Sequence, residues 1–305
     1  MIQILQIVLP VFIVLFIGWF IRQIKLIDDD FIQTANKLIF NVCLPVLLFY
    51  KIALADLRSV FSISHLIIMF ISIILMFVIA FVTAKAMKLG KSEGTFAMNT
   101  FRANYAYMGL PVSAYAFGDQ GLVIASVLMA FVVPMVNFMS VVALSISMTG
   151  ERSLKPFIKN TLLNPLAIAC LLGIAASWFN IGFPVFIARS LEIVSGVTLP
   201  LALFCVGGSM SRDRMKGDFF PALSSSFLKL LVMPFCAYLM LKISGIELSV
   251  TSKTLVIMLS APTATVNYVL ASQMQGDAPM AGSTIVMSTL LSILSFSLWL
   301  FVLGV

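Results

Sequence analysis

Apolar runs of about 20 residues recur along the chain between short polar or Gly/Pro-rich breaks, each long enough to cross about 30 Å of hydrocarbon as a helix. Setting run against break places spans near 2–22, 31–50, 61–84, 95–117, 121–147, 160–179, 185–209, 219–243, 254–274 and 279–303. The alternating segments of roughly ten residues that mark a transmembrane β-barrel are absent from the sequence. The pattern predicts an all-α polytopic membrane protein of ten transmembrane helices.

Ten spans divide into two sets of five, 1–150 and 151–305. An odd number of crossings reverses direction, so a repeat between the halves must be inverted in the membrane. Two parallels suggest such a repeat. "NVCLPVLLF" places Asn41 four residues before Pro45, and "SGVTLPLALF" places Gly196 four before Pro200. "GDQGLVIASVLMA" after the fourth span likewise matches "GDAPMAGSTIVMS" after the ninth.

Composition narrows the class. The 305 residues are 61% hydrophobic and 10% charged, with a mean hydropathy of +1.11, which excludes an ordinary soluble domain. The first run, from Ile2, lacks a basic leader and a small-residue cleavage site, so it reads as a retained span in a protein that begins at Met1. Cys43, Cys170, Cys205 and Cys236 fall inside apolar runs without metal-ligand spacing, and packing is their expected role. No metal and no cofactor is implied.

The net charge of +7 comes without any nucleic-acid motif, and its distribution fits the retention of Lys and Arg on the cytoplasmic side of the lipid bilayer. With both termini outside, the inner loops hold Arg22, Lys25, Lys85, Lys88, Lys91, Arg152, Lys155, Lys159, Arg212, Arg214 and Lys216. The outer side holds only Lys51, Arg58, Arg189, Lys242 and Lys253. The expected location is the cell inner (plasma) membrane, multi-pass, with both termini outside.

Prolines and polar residues inside the spans carry the candidate chemistry. A proline withdraws one N–H and displaces the carbonyl four residues earlier, a loss tolerated in lipid only where protein or a watery cavity supplies other partners. Pro111 and Pro262 lie mid-span among Asn104, Tyr105 and Tyr107 in one case and Ser260, Thr263, Thr265 and Asn267 in the other. On continuous helices Thr100, Asn104 and Tyr107 share a face, as do Ser260, Thr263 and Asn267. Pro10, Pro134 and Pro234 read as ordinary kinks.

Lys229, near the middle of the eighth span, is a candidate ligand contact, because a mid-membrane cation is costly unless paired or hydrated. For Arg102 two readings stand, anchoring near the interface or facing a cavity. Lys37 is expected to snorkel. His65 is expected at the interface and Arg189 to pair with Glu192. Asn137 lines a cavity or bridges helices, and Asn41 joins the candidate contacts through its place before Pro45.

Taken in order, "NKLIFNVCLPVLLF", "NYAYMGLP", "FLKLLVMP" and "LSAPTATVNYVLASQM" leading to "STLLSILS" resemble the auxin efflux carrier family over essentially the whole length. Its bacterial members are often described as malate permeases and its plant members are the PIN auxin exporters. The resemblance implies two inverted five-helix repeats, a scaffold domain against a transport domain, an elevator cycle and a homodimer. It also implies that helices 4 and 9 break and cross around Gly109, Pro111 and Pro262, and that a substrate carboxylate binds there at Asn104 and Thr263. Ala103 and Asn267 stand where plant members carry further prolines, and the long hydrophilic loop of many plant members is absent.

The function expected is secondary or facilitative transport of small organic anions, either malate-like dicarboxylates or auxin-like monocarboxylates. Its candidate contacts are Asn104, Thr263, Asn267, Asn41, Tyr107, Asn137 and Lys229. A ligand-gated channel or ligand-binding membrane sensor is the alternative. With one histidine and neither HExxH nor GxSxG, an enzyme is not expected. Coupling to H+ or Na+ and uncoupled transport all stay open.

Overall fold

The computed structural model describes residues 2–56, 62–147, 164–210 and 216–305. Arg58, Arg152, Lys155, Lys159, Arg212 and Arg214, used above to assign direction, lie outside the described residues, as do Met1 and the junction between the two halves.

The described residues are helical, with one isolated antiparallel β-bridge. In chain order the α-helices are α1 (Ile2–Gln23), α2 (Asp29–Leu38), α3 (Leu44–Ala53), α4 (Ile63–Ala86), α5 (Glu93–Phe101), α6 (Leu110–Ile146), α7 (Pro165–Trp178), α8 (Val185–Gly208), α9 (Phe219–Phe227), α10 (Met233–Ile243), α11 (Val250–Ser260), α12 (Val266–Gln273) and α13 (Ala278–Val302). Short π turns join α2 to α3, lead into α6 and join α9 to α10. Among the described residues seven continuous helical stretches are long and apolar enough to cross a membrane, and α7 and α11 are shorter apolar helices. The protein is a multi-pass membrane protein. Its outward surface fits that reading, since Phe16, Ile74, Val82, Phe186 and Leu294 all stand exposed, as lipid contact requires.

Each of the three π turns has the same local cause. They end one residue before a Leu-Pro or Met-Pro pair, at Pro45, Pro111 and Pro234. The N–H groups of Leu44, Leu110 and Met233 reach back five residues, to the carbonyls of Ile39, Tyr105 and Leu228. A proline ring crowds the carbonyl four residues back, and one widened turn relieves the clash without ending the helix. At Pro234 that displaced carbonyl belongs to Leu230, which accepts from Ser295 Oγ at 2.8 Å and Trp299 Nε1 at 3.0 Å. There the proline is an ordinary kink bonded to a neighbouring helix.

Gly118 interrupts α6 at φ 62° and ψ −153°, a backbone conformation nearly restricted to glycine. The break falls between the runs 95–117 and 121–147 read from the sequence. Just past this break Asp119 pairs with Lys51 of α3 at 2.5 Å.

Packing sorts the helices into two groups. In one, α1 lies along α8 while α3 packs on α7 and α8. In the other, α4 packs on α5 and α10, α9 on α13, and α11 on α6 and α10. The first group is joined very closely: a Cβ at Gly207 would overlap the Leu15 carbonyl, and one at Gly18 the Phe204 carbonyl. Two glycines thus let two backbones touch, the close approach that stabilises helix pairs where hydrophobic driving force is absent.

Gly207→Val is expected to force α1 and α8 apart and cost about 1–3 kcal/mol. Gly196→Ala, on the same helix but facing open space, should leave stability unchanged or slightly raised. Thermal melting of the two variants in detergent checks the contrast.

Candidate functional site

Two helices stop inside the bundle and are joined to each other there. Helix α5 ends at Phe101, and Arg102 turns extended at φ −91° and ψ 103°. Helix α11 ends at Ser260, and Ala261 does the same at φ −62° and ψ 146°. Ala103 and Thr263 form the antiparallel bridge. Across it the Asn104 N–H donates to the Pro262 carbonyl at 2.7 Å, and the Ala264 N–H to the Arg102 carbonyl at 3.1 Å. The backbone groups left over by one break are satisfied by the other.

The first break is therefore at Arg102–Asn104, upstream of Pro111, which sits at the start of the next helix. Pro262 does lie in the second break, but α11 has ended before it, at Ser260. Neither trio expected to share one continuous helical face does so, because the chain breaks within each. Gly109 permits close approach, since a Cβ there would stand 2.7 Å from Met258 Sδ of α11.

Three predicted ligand contacts close the helix ends instead of facing open space. Thr263 Oγ1 donates to the Asn99 carbonyl at 2.8 Å, and its N–H donates to Ser288 Oγ at 3.1 Å. Asn267 Nδ2 donates to Asn99 Oδ1 at 3.2 Å and the Met98 carbonyl at 3.4 Å. Lys229, fully buried, donates to the Leu259 carbonyl at 2.6 Å and reaches Met233 Sδ at 3.4 Å. Carbonyls in the last turn of a helix carry the negative end of its dipole, and most lack an intrahelical donor, so hydroxyl, amide and amine donors stabilise them. Thr263, Asn267 and Lys229 are not among the residues that line the adjoining cavity.

That cavity, of about 920 Å³, lies between the two helix groups. Its walls include Asn41, Arg102, Asn104, Tyr107, Asn137 and Thr265, so four of the predicted contacts, Asn41, Asn104, Tyr107 and Asn137, come together there. Both following half-helices start on it: Asn104 caps the turn into α6, and Thr265 immediately precedes α12 without a side-chain cap bond. Asn104 Oδ1 accepts from the Tyr107 N–H at 3.2 Å, while its buried Nδ2 has no partner among the described residues. Asn104 and two helix N-termini on one cavity make a site suited to an anion.

Arg102, whose two readings were open, belongs to the same wall. Only 8% exposed, it donates from Nη1 to Ser140 Oγ at 3.0 Å and from Nη2 to Asn137 Oδ1 at 2.5 Å. Asn137 thus both lines the cavity and bridges to the broken helix. The signal in the sequence was a cation at membrane depth without an acidic neighbour. Of its two readings, anchoring near the interface assumes a continuous helix, and the break at Arg102 leaves the cavity reading.

The mouth lies where α2 starts, at Asp29 and Asp30, with Ser209 at the end of α8 and Gln273 at the end of α12 also on the wall. Asp29 is paired with Arg22 at 2.6 Å. Lys37 lines the cavity rather than only meeting lipid. His65 bonds Ser62 Oγ at 2.7 Å and Ser252 Oγ at 2.8 Å, fixing the start of α4 to α11. Arg189 and Glu192 form no ion pair; both are exposed, where pairing gains little over the entropy of ordering two long side chains. The four cysteines are free, and Cys205 lines the cavity. No group of metal-binding side chains occurs among the described residues.

A family model described as "Membrane transport protein" matches residues 3–157 and 150–300. The chain belongs to this family. It is the family of auxin efflux carriers that the sequence motifs resemble. Among curated relatives, an uncharacterized transporter of Methanothermobacter thermautotrophicus is 30% identical over 97% of both chains. Another, of Methanocaldococcus jannaschii, is 23% identical over 97% of both. A protein of Rhizobium meliloti provisionally named a malonate transporter is 23% identical over 96% of this chain and 93% of its own.

Lys229→Ala should expose the cost of leaving the Leu259 carbonyl without its donor. The lost hydrogen bond and the space left by the missing side chain should together appear as a lower melting temperature of the purified variant.

Proposed function

We propose that this transporter is a secondary or facilitative carrier of small organic anions, carboxylates in particular. One observation carries the reading: two half-helix N-termini, Asn104, whose buried Nδ2 lacks a partner among the described residues, and Arg102 line one cavity. Backbone N–H groups at helix starts attract a carboxylate without a full protein charge, and ligand release therefore stays easy. The malonate name given to the Rhizobium meliloti relative supports a carboxylate.

In this reading the chain has ten spans, arranged as inverted five-helix repeats in 1–150 and 151–305, and the bridged breaks are the crossover of spans 4 and 9. The helices of the α4, α5–α6, α9–α10, α11–α12 and α13 group move as an elevator against α1, α2–α3, α7 and α8. Support comes from the packing division and from a cavity that lies on the boundary between the groups. The Lys51–Asp119 pair joins the groups at the far end of α3 from the mouth, consistent with a state open on one side only. The basic loops favour both termini outside and a mouth facing the cytoplasm across the inner (plasma) membrane. Family resemblance supports a homodimer.

Purified protein in liposomes is expected to take up labelled carboxylates above the empty-vesicle level. Asn104→Asp keeps the cap on Tyr107 but replaces the free donor with an anion, and should lower uptake at least tenfold with unchanged melting temperature. Wild-type uptake equal to empty liposomes across a panel of organic acids would defeat the reading.

A further inference from the structure

A guanidinium is always charged and offers five N–H donors with no acceptor. At Arg102 the two partners present, Ser140 and Asn137, are neutral. Neither of the two ion pairs among the described residues involves it. A buried cation with only neutral partners is costly to hold, and an anion arriving beside it recovers much of that cost.

The helix starts and Asn104 Nδ2 already provide for one carboxylate. Arg102 stands two residues before Asn104 across the extended Ala103, and side chains two apart on an extended segment point the same way. Both line the cavity, with α-carbons separated by roughly 6–7 Å at the usual rise per residue. Two anionic subsites therefore sit side by side on one short piece of backbone.

We propose that Arg102 counts ligand charge: the cavity takes a short organic dianion, one carboxylate at the helix starts and Asn104, the other on the Arg102 guanidinium. This rests on the carboxylate-carrier reading and refines it. Asn137 and Ser140 hold the guanidinium in place while adding no charge of their own, so the second negative group must come from the ligand. A monoanion fills one subsite and leaves the guanidinium unmatched.

The test compares succinate and glutarate with propionate and butyrate on wild-type protein, Arg102→Gln, Arg102→Lys and Asn137→Asp, by thermal shift and by competition for uptake into liposomes. Wild type should prefer the dianions at least tenfold. Arg102→Gln should lose that preference, and Arg102→Lys should keep most of it. Asn137→Asp gives Arg102 a resident carboxylate and should move the preference toward the monoanions; it carries the test alone if Arg102→Gln does not fold. Equal response of wild type to both classes, or a preference that survives in Asn137→Asp, overturns the role of Arg102 and leaves the carboxylate carrier standing. Failure of every acid to bind or enter removes the carrier reading itself.

Discussion

The hydrogen bonds from Asn104 N–H to the Pro262 carbonyl and from Ala264 N–H to the Arg102 carbonyl are the constraint on which the site depends. Inside a bilayer no water is at hand to bond an interrupted helix, and each open backbone group costs several kcal/mol. Two interruptions that face each other resolve the difficulty jointly. Neither break is stable alone, so α5, α6, α11 and α12 are fixed relative to one another by the same contact that creates the helix ends.

From that contact follows a separation of roles. At each break one helix ends and another begins, so negative and positive dipole ends lie close together. The side chains of Thr263, Asn267 and Lys229 serve the carbonyl ends, whereas Asn104 and Arg102 remain on the cavity beside the N–H ends. Polar side chains in one sequence neighbourhood thus have opposite tasks.

This division explains what the sequence disclosed and what it withheld. The apolar runs gave away a helical membrane protein, and the family motifs led to the right family. Asn41, Asn104, Tyr107 and Asn137 were recognisable because a polar group at membrane depth must meet either a cavity or a partner, and these four reach the cavity. Thr263, Asn267 and Lys229 satisfy the same rule by meeting a partner, and composition does not distinguish the two outcomes. Arg102 stayed open between two readings for a geometric reason: anchoring near the interface assumes a continuous helix, and the helix ends one residue before it, which leaves it on the cavity wall. Proline marked the second break but not the first, where Pro111 only widens a later turn.

Lys229 has a consequence of another kind. A dissolved donor at a helix terminus comes and goes with its concentration, whereas an amine nitrogen attached through its side chain to α9–α10 stays at a fixed local concentration. The end of α11 carries a tethered donor, and the bonding of its Leu259 carbonyl is independent of the ionic composition on either side of the membrane.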